Sequence, residues 1–323
     1  MNIVLIGASG FVGTRLINVL KDCKHQITNI DIAGSEYHPE ITIYGDVRDR
    51  NEITRLTKGA DIIILLAAQH RDDVTPTSLY YDTNVNGMKN VLHAMEENGI
   101  KRLLFFSSVA IYGMGKCNLD EESPADPFNH YGKSKWQAET LAKEWHQKHQ
   151  DTNINIIRPT VIFGERNRGN VYNLLNQISN KKFIMIGSGN NIKSMAYVGN
   201  VVSFAKFVIE NIKDGYNVYN YVDKPDLNMN ELVSIAYDTL NKKVPAHHIP
   251  YWMGMVGGLT FDLIATISHR KLNISSIRIK KFCSTTQFDS TKAQSTGFKP
   301  EYSLTEGLSE TISHEFKNVT GNH

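Results

Sequence analysis

Short, mainly apolar runs recur through the first half of the chain, at residues 3–6, 27–30, 62–66, 103–106 and 154–157. Apolar and polar positions do not alternate cleanly within them, which predicts strands buried on both faces. Amphipathic stretches lie between, at 11–20, 80–97 and 133–149, and read as helices with one apolar face. Buried strands separated by helices predict an α/β fold with a parallel, doubly wound sheet. The alternation weakens after Arg158-Pro159, and the polar, glycine-bearing segment 164–169 suits a lobe boundary. The expected division is 1–165 for the sheet domain and 166–323 for a smaller C-terminal lobe that binds substrate. The chain is expected to re-enter the first domain near 195–209. The tail from Lys317 is polar and expected to fray.

One stretch breaks the pattern. Residues 249–267 are apolar and include Trp252, Met253, Met255, Phe261 and Leu263, interrupted by Gly254, Gly257, Gly258 and Asp262. His269-Arg270-Lys271 follows, then Arg278, Lys280 and Lys281. The glycines, the aspartate and the marginal length argue against a membrane-crossing helix. Two readings remain. One is a buried helix of the smaller lobe. The other is a surface that dips into a lipid interface, with basic residues near anionic headgroups.

Composition narrows the class. The 323 residues are 41% hydrophobic and 21% charged, which suits a soluble protein with one large and one smaller lobe. A formal net charge of +2 gives no electrostatic footprint for a nucleic-acid partner. Cys23, Cys117 and Cys283 are scattered and odd in number. They match neither a disulfide framework nor a zinc site, so a reducing compartment and no metal are expected. No basic segment or cleavage site precedes the first strand, so a cytoplasmic location is expected.

The first candidate chemistry follows that strand. Gly7-Ala8-Ser9-Gly10-Phe11-Val12-Gly13 leaves a strand and opens a helix. The first glycine permits a tight turn, the second lets backbone approach a pyrophosphate, and the third lets helix pack closely on strand. The helix N-terminus then faces the negative charge. This is the Rossmann-type dinucleotide loop in its proper context. Asp31 ends the second strand, where an acid binds the adenosine ribose hydroxyls and repels a 2′-phosphate, so NAD is expected rather than NADP. Asp46-Val47 follow a further strand at 41–44 and are placed beside the adenine. Leu66-Ala67-Ala68 supply small residues at a strand end that the cofactor must pass.

The second candidate is Tyr131-Gly132-Lys133-Ser134-Lys135, at the start of a helix. Residues i and i+4 project from one face, which brings the hydroxyl of Tyr131 and the ammonium of Lys135 together. A free tyrosine titrates at about 10, and a nearby cation favours its phenolate. Lys135 is also placed to hold the nicotinamide ribose. Upstream, Ser107-Ser108 end a buried strand at the sheet edge where ligands sit in such folds. Ser108 is positioned to hydrogen-bond a substrate oxygen that alternates between alcohol and ketone.

With these residues assembled, the chain resembles the extended short-chain dehydrogenase/reductases, which include NAD-dependent sugar epimerases and dehydratases. Gly7 to Gly13, the segment Ser108 to Gly113 and Tyr131 to Lys135 match its motifs. Asn84-Val85-Asn86-Gly87 and Arg158-Pro159-Thr160-Val161-Ile162-Phe163-Gly164 are also typical. The resemblance spans nearly the whole chain. It implies Ser108, Tyr131 and Lys135 as catalytic residues, with Pro159 joining the cofactor contacts, and a homodimer formed through two helices of the large lobe. Within the family, His70-Arg71-Asp72-Asp73 and the segments 131–139, 165–175 and 193–199 resemble members that act on a lipid carrier of surface-polysaccharide (O-antigen) synthesis. That likeness implies C4 interconversion of GlcNAc and GalNAc on undecaprenyl diphosphate, with peripheral contact at the inner membrane face. His70, Ser108, Arg168, Asn170, Lys193 and Arg278 are the candidate substrate contacts. Two departures matter. Lysine stands at 193 where sugar-nucleotide epimerases carry an arginine, which keeps the charge but loses the bidentate fork. Val109-Ala110 follow Ser108 where dehydratases carry Asp-Glu, which argues against dehydration. Rival readings are an epimerase of soluble UDP-sugars, a reductase with net redox change, and a non-enzymatic NAD sensor.

Overall fold

The computed structural model describes residues 1–317 apart from 24, 72, 114, 116, 212–213, 246–247 and 269–274. Asp72 and His269-Arg270-Lys271 therefore lie outside the described residues. Along the chain the strands are β1 (Asn2–Ile6), β2 (Gln26–Asp31), β3 (Thr42–Tyr44), β4 (Ile62–Leu65), β5 (Arg102–Phe106), β6 (Asn153–Pro159), β7 (Val161–Phe163), β8 (Met185–Ile186), β9 (Ile192–Lys193), β10 (Met195–Tyr197), β11 (Gly215–Tyr221), β12 (Leu227–Asn228) and β13 (His248–Ile249). The helices are α1 (Phe11–Lys21), α2 (Arg50–Leu56), α3 (Ser78–Tyr81), α4 (Gly87–Asn98), α5 (His130–Lys148), α6 (Asn170–Ser179), α7 (Val198–Asn211), α8 (Met229–Thr239), α9 (Tyr251–Ser268), α10 (Ser276–Cys283), α11 (Thr291–Ser295) and α12 (Leu304–Ile312).

Seven strands form the main sheet in the order β11-β6-β5-β4-β1-β2-β3, with every neighbouring pair parallel. The buried runs form its centre because helices cover both faces. Successive side chains of β1 go to opposite cores. Ile3 and Leu5 join Leu16, Leu20, Phe204 and Val208 on the α1/α7 side, while Val4 and Ile6 join Met88, Val91 and Ala138 on the α4/α5 side. The first of these cores continues without a break into the C-terminal lobe, through Leu175, Met185, Leu232, Ala236 and Leu308. The strand order reverses at β1, between β4 and β2, and that reversal leaves a crevice at the carboxyl ends of the strands.

Two features depart from the sequence expectations. The edge strand β11 was not expected, and it extends the sheet beyond β6 in full register from Gly215↔Asn153 to Tyr221↔Pro159. The stretch 249–267 is a helix, as one reading held, but it is not buried. Along α9 only Gly254 and Gly258 are buried, and Trp252, Val256, Leu259, Leu263 and Ile267 are exposed by 67, 58, 57, 60 and 72%. The small residues face the protein, because Gly254 packs on Ile186 and Gly258 on Ser276 and Ile279 at distances that leave no room for a Cβ. Among the described residues no helix is long and apolar enough to cross a membrane.

Candidate active site

The glycine loop leaves β1 with Gly7 at φ +84°, a left-handed conformation that favours glycine. A Cβ there would sit 2.4 Å from the backbone of Ala67, so the loop can lie on the end of β4 only without a side chain. At Gly13 a Cβ would come 2.3 Å from the Cα of Ala8, which is the close helix–strand packing the motif predicts. Gly10 is different: a Cβ there would meet no protein atom within 4 Å. Its smallness serves an approach from outside the protein. Gly10 caps α1 without a side-chain hydrogen bond, and no acid lies in the first turn, so the positive end of the helix faces that same space.

Asp31 and an unpredicted partner hold this loop. The amide of Ser9 donates to Asp31 Oδ2 at 2.9 Å, and the amide of Ala33 donates to Oδ1 at 3.0 Å. Asn29, fully buried within β2, accepts from the Ala8 amide at 3.0 Å and donates to Ser9 Oγ. Asn29 escaped the sequence reading because it stands inside a run that reads as core. Its signal was a polar residue at a position where the strand pattern demands an apolar one. Asp46 pairs with Arg48 at 2.5 Å, and that guanidinium holds the Asp46 carboxyl below its ordinary range. Val47 is buried against Gly87. Leu66 and Ala67 both donate their amides to Ile6 O, fastening the end of β4 beside the loop. Asn84 ties in the segment that follows: it exchanges hydrogen bonds with the backbone of Gln69 and donates to Ser134 Oγ on α5. Asn84 belongs to a π-helical turn, Asp82–Asn86, a local widening often found at functional sites.

Ser108 follows β5 and caps a short turn at Val109–Tyr112, where its Oγ accepts from the Ala110 amide at 3.1 Å. Tyr131 is the second residue of α5, whose N-cap Asn129 accepts from Gly132 N at 2.8 Å. A Cβ on Gly132 would lie 2.4 Å from Ala110 O. Glycine at this position lets the first turn of α5 rest directly on the Ser108 turn and brings the two hydroxyl-bearing segments together. One turn on, Lys135 is fully buried; its Nζ donates to Phe106 O at 2.6 Å and lies 4.4 Å from the ring centre of Phe105. Burial pushes its pKa down to about 7, against an opposing pull from Glu139.

Glu139 was not predicted. It lies one further turn along α5 and is 1% exposed. Its carboxylate accepts from Arg158 Nη2 at 2.6 Å, from Arg158 Nε at 3.1 Å, and from Ser107 Oγ. Burial opposes the Arg158 charge, but Glu139 outweighs it and holds the guanidinium above its ordinary range. Arg158 Nη1 donates to Tyr112 Oη at 2.6 Å, and Tyr112 donates to Asn220 Oδ1 at 2.8 Å. Burial pushes the Tyr112 hydroxyl up to about 12. This chain of polar contacts joins the ends of β5, β6 and β11 to α5. Pro159 ends β6 within the same edge.

The remaining predicted residues stand on separate elements. His70 is exposed in the segment after β4, and Asn170 is exposed at the start of α6. Arg168 pairs with Glu315 at 2.7 Å and lies 4.3 Å from the ring centre of Tyr172. Lys193 Nζ donates to the carbonyls of Lys281 and Ser284 at 3.0 and 2.5 Å, on the last turn of α10, and burial lowers its pKa to about 8. Arg278 is exposed on α10. The structure thus brings together the segments that carry Ser108, Tyr131 and Lys135, and places His70, Arg168, Asn170, Lys193 and Arg278 on other elements.

Comparison with known proteins identifies the family. The model of the NAD dependent epimerase/dehydratase family matches residues 3–221. This chain belongs to that family. The family's cofactor, NAD, fits the open space at Gly10, the uncapped end of α1 and the acid at the end of β2. The N-acetyl-alpha-D-glucosaminyl-diphospho-ditrans,octacis-undecaprenol 4-epimerase of Escherichia coli O157:H7 is 58% identical over 98% of this chain and 95% of its own. The UDP-glucose 4-epimerase of Vibrio cholerae is 26% identical over 96% of this chain and 94% of its own. Among solved structures, the UDP-glucuronic acid 4-epimerase from Bacillus cereus in complex with NAD superposes with a TM-score of 0.77 at 19% identity, covering 99% of both chains. The UDP-glucose 4-epimerase from Thermotoga maritima also gives 0.77 at 19% identity, covering 99% of this chain and 100% of that one. At such identities the likeness speaks for the fold.

Proposed function

We propose that this family member is an NAD-dependent C4 epimerase, an isomerase, that interconverts GlcNAc and GalNAc carried on undecaprenyl diphosphate. The observation that carries the reading is 58% identity over nearly the full length of a relative named for that reaction, combined with the Ser108, Tyr131 and Lys135 edge. Tyr131, as phenolate, takes the proton of the C4 hydroxyl. Lys135 supplies the cation that favours the phenolate, held in place by the Phe106 carbonyl. Ser108 keeps the C4 oxygen in place while it passes from alcohol to ketone and back. The Gly7–Gly13 loop and Asp31 would hold NAD, which would supply reversible hydride acceptance at C4, so that the hydride can return to the opposite face of the 4-keto sugar. Tyr131 then gives its proton back, so net redox is zero. The same reading places the enzyme in the cytoplasm, at the membrane face that carries the lipid, as a homodimer.

The test is to incubate the protein with GlcNAc on undecaprenyl diphosphate and, separately, with UDP-GlcNAc, and to resolve the released sugars. GalNAc from the lipid-linked substrate, lost in Tyr131→Phe with NAD binding intact, is the expected result. GalNAc from UDP-GlcNAc alone would make this an epimerase of soluble sugar nucleotides. Sustained net formation of reduced cofactor would make it a dehydrogenase or reductase.

A further inference from the structure

We infer that α9, with α10 beside it, is an in-plane membrane anchor that seats the protein on anionic lipid. Where a helix of a soluble protein turns its large apolar residues inward, α9 does the reverse. Trp252, Val256, Leu259, Leu263 and Ile267 recur at helical spacing and form one exposed stripe, while Gly254 and Gly258 make the inward contact. A continuous exposed stripe of this kind marks an interaction surface. Its 18 residues span about 27 Å and include an aspartate and three glycines, which suits a helix lying in the interface rather than crossing it.

Charge decides the occupant. Residues 249–281 hold five lysines and arginines (Arg270, Lys271, Arg278, Lys280 and Lys281) and one acid, Asp262. Asp262 is turned toward α10, where its Oδ2 accepts from Ser276 N at 3.1 Å. The exposed stripe is therefore apolar, and Arg278 and Lys280 stand exposed on α10 beside it, which complements anionic headgroups above an acyl layer. A second copy docked by two-fold symmetry would set these basic residues against their own copies. The anchor also adjoins the catalytic edge. Lys281, at the end of α10, lies 5.3 Å from the ring centre of Phe128, the residue before the N-cap of α5. A protein seated on α9 thus has the start of its catalytic helix close to the headgroup layer.

The inference goes beyond the substrate reading and is tested apart from it. The full-length protein is co-sedimented with phosphatidylglycerol-rich vesicles and with phosphatidylcholine vesicles, beside the double variant Leu259→Asp/Leu263→Asp. Both positions are exposed, so the variant is expected to keep its melting temperature and NAD binding. Wild type should pellet with the anionic vesicles, less so at high salt, and the variant should bind at least about tenfold more weakly. Epimerisation of GlcNAc on a short, water-soluble prenyl diphosphate should be equal in both. Wild type remaining in the supernatant, the variant pelleting as well as wild type, or a wild-type dimer that the variant dissolves would each overturn the inference. Failure of wild type on the short substrate would count against the substrate reading and leave the vesicle result to decide the anchor.

Discussion

Glu139→Gln probes the buried network behind the catalytic edge. The substitution keeps the shape of the side chain but removes its charge, leaving the Arg158 guanidinium, 4% exposed, without its counter-ion. Breaking one side of a buried pair costs roughly 3–5 kcal/mol, because the remaining charge is desolvated and uncompensated. An unfolding entropy of about 2.1 cal/mol/K per residue gives about 0.7 kcal/mol/K over the 323 residues, so the melting temperature should fall by about 4–7 °C. The loss has a second, chemical signature. Glu139 raises the pKa of Lys135, which burial has already brought down to about 7. Without Glu139 the Lys135 ammonium gives up its proton at lower pH, so the alkaline limb of kcat/KM should move to lower pH. Scanning calorimetry reads the first effect and a pH–rate profile the second. Glu139→Leu/Arg158→Met, which removes both charges, should regain most of the stability but not the pH profile. An unchanged melting temperature in Glu139→Gln, or a fall in melting temperature with an unmoved alkaline limb, would refute the reasoning.

The loop glycines should separate packing from ligand approach. Gly13→Ala forces a Cβ against Ala8 and should lower stability by about 1–3 kcal/mol in denaturant unfolding, whereas Gly10→Ala should leave stability near wild type and weaken NAD in a binding titration. Asp31→Ala removes the acceptor of the Ser9 and Ala33 amides together with the charge that repels a 2′-phosphate, so parallel titrations should find NAD weakened and the preference over NADP reduced. Lys193→Met should respond to pH with a defined sign. The folded pKa of Lys193 is about 8 against an ordinary 10.5, so between these values the unfolded chain binds more protons and wild-type stability should rise relative to the variant. Melting temperatures of the two proteins across that interval check this, and parallel curves would show that the amine is not buried as described.

The parts legible in the sequence were those where one local rule governs. Residues 3–6 and 62–65 are strands because both faces of their sheet are covered, and an apolar run records that directly. Gly7, Gly10 and Gly13 serve three separate purposes, and each can be argued from the turn, the approach or the packing it permits. Tyr131 and Lys135 share a helix face by spacing alone. The parts that were missed depend on partners far along the chain. β11 reads Gly-Tyr-Asn-Val-Tyr-Asn-Tyr, which looks polar, yet Asn220 is fully buried because Leu119 and Asp289 supply carbonyls to its amide and Tyr112 a hydroxyl to its oxygen. Glu139 and Arg158 are 19 positions apart, and only the crossing of α5 over β6 makes them a pair.

The same distinction accounts for the substrate residues. The candidate catalytic residues stand on α5 and on the turn after β5, both packed against a sheet that is buried on both faces and offers few places for a hydroxyl to stand. The expected diphosphate contacts lie instead on short strands, loop ends and α10, where a positive charge has several uses. Lys193 illustrates this: its ammonium donates to the carbonyls that end α10, a use of charge that spacing along the chain does not record. That contact holds the end of α10 where Lys281 meets Phe128, just before the N-cap of α5. Lysine suits the position because a compact ammonium can satisfy two converging carbonyls, whereas the planar fork of arginine is built for a carboxylate or phosphate. Lysine at 193 thus fits the end of α10, the helix that packs on Gly258 of α9.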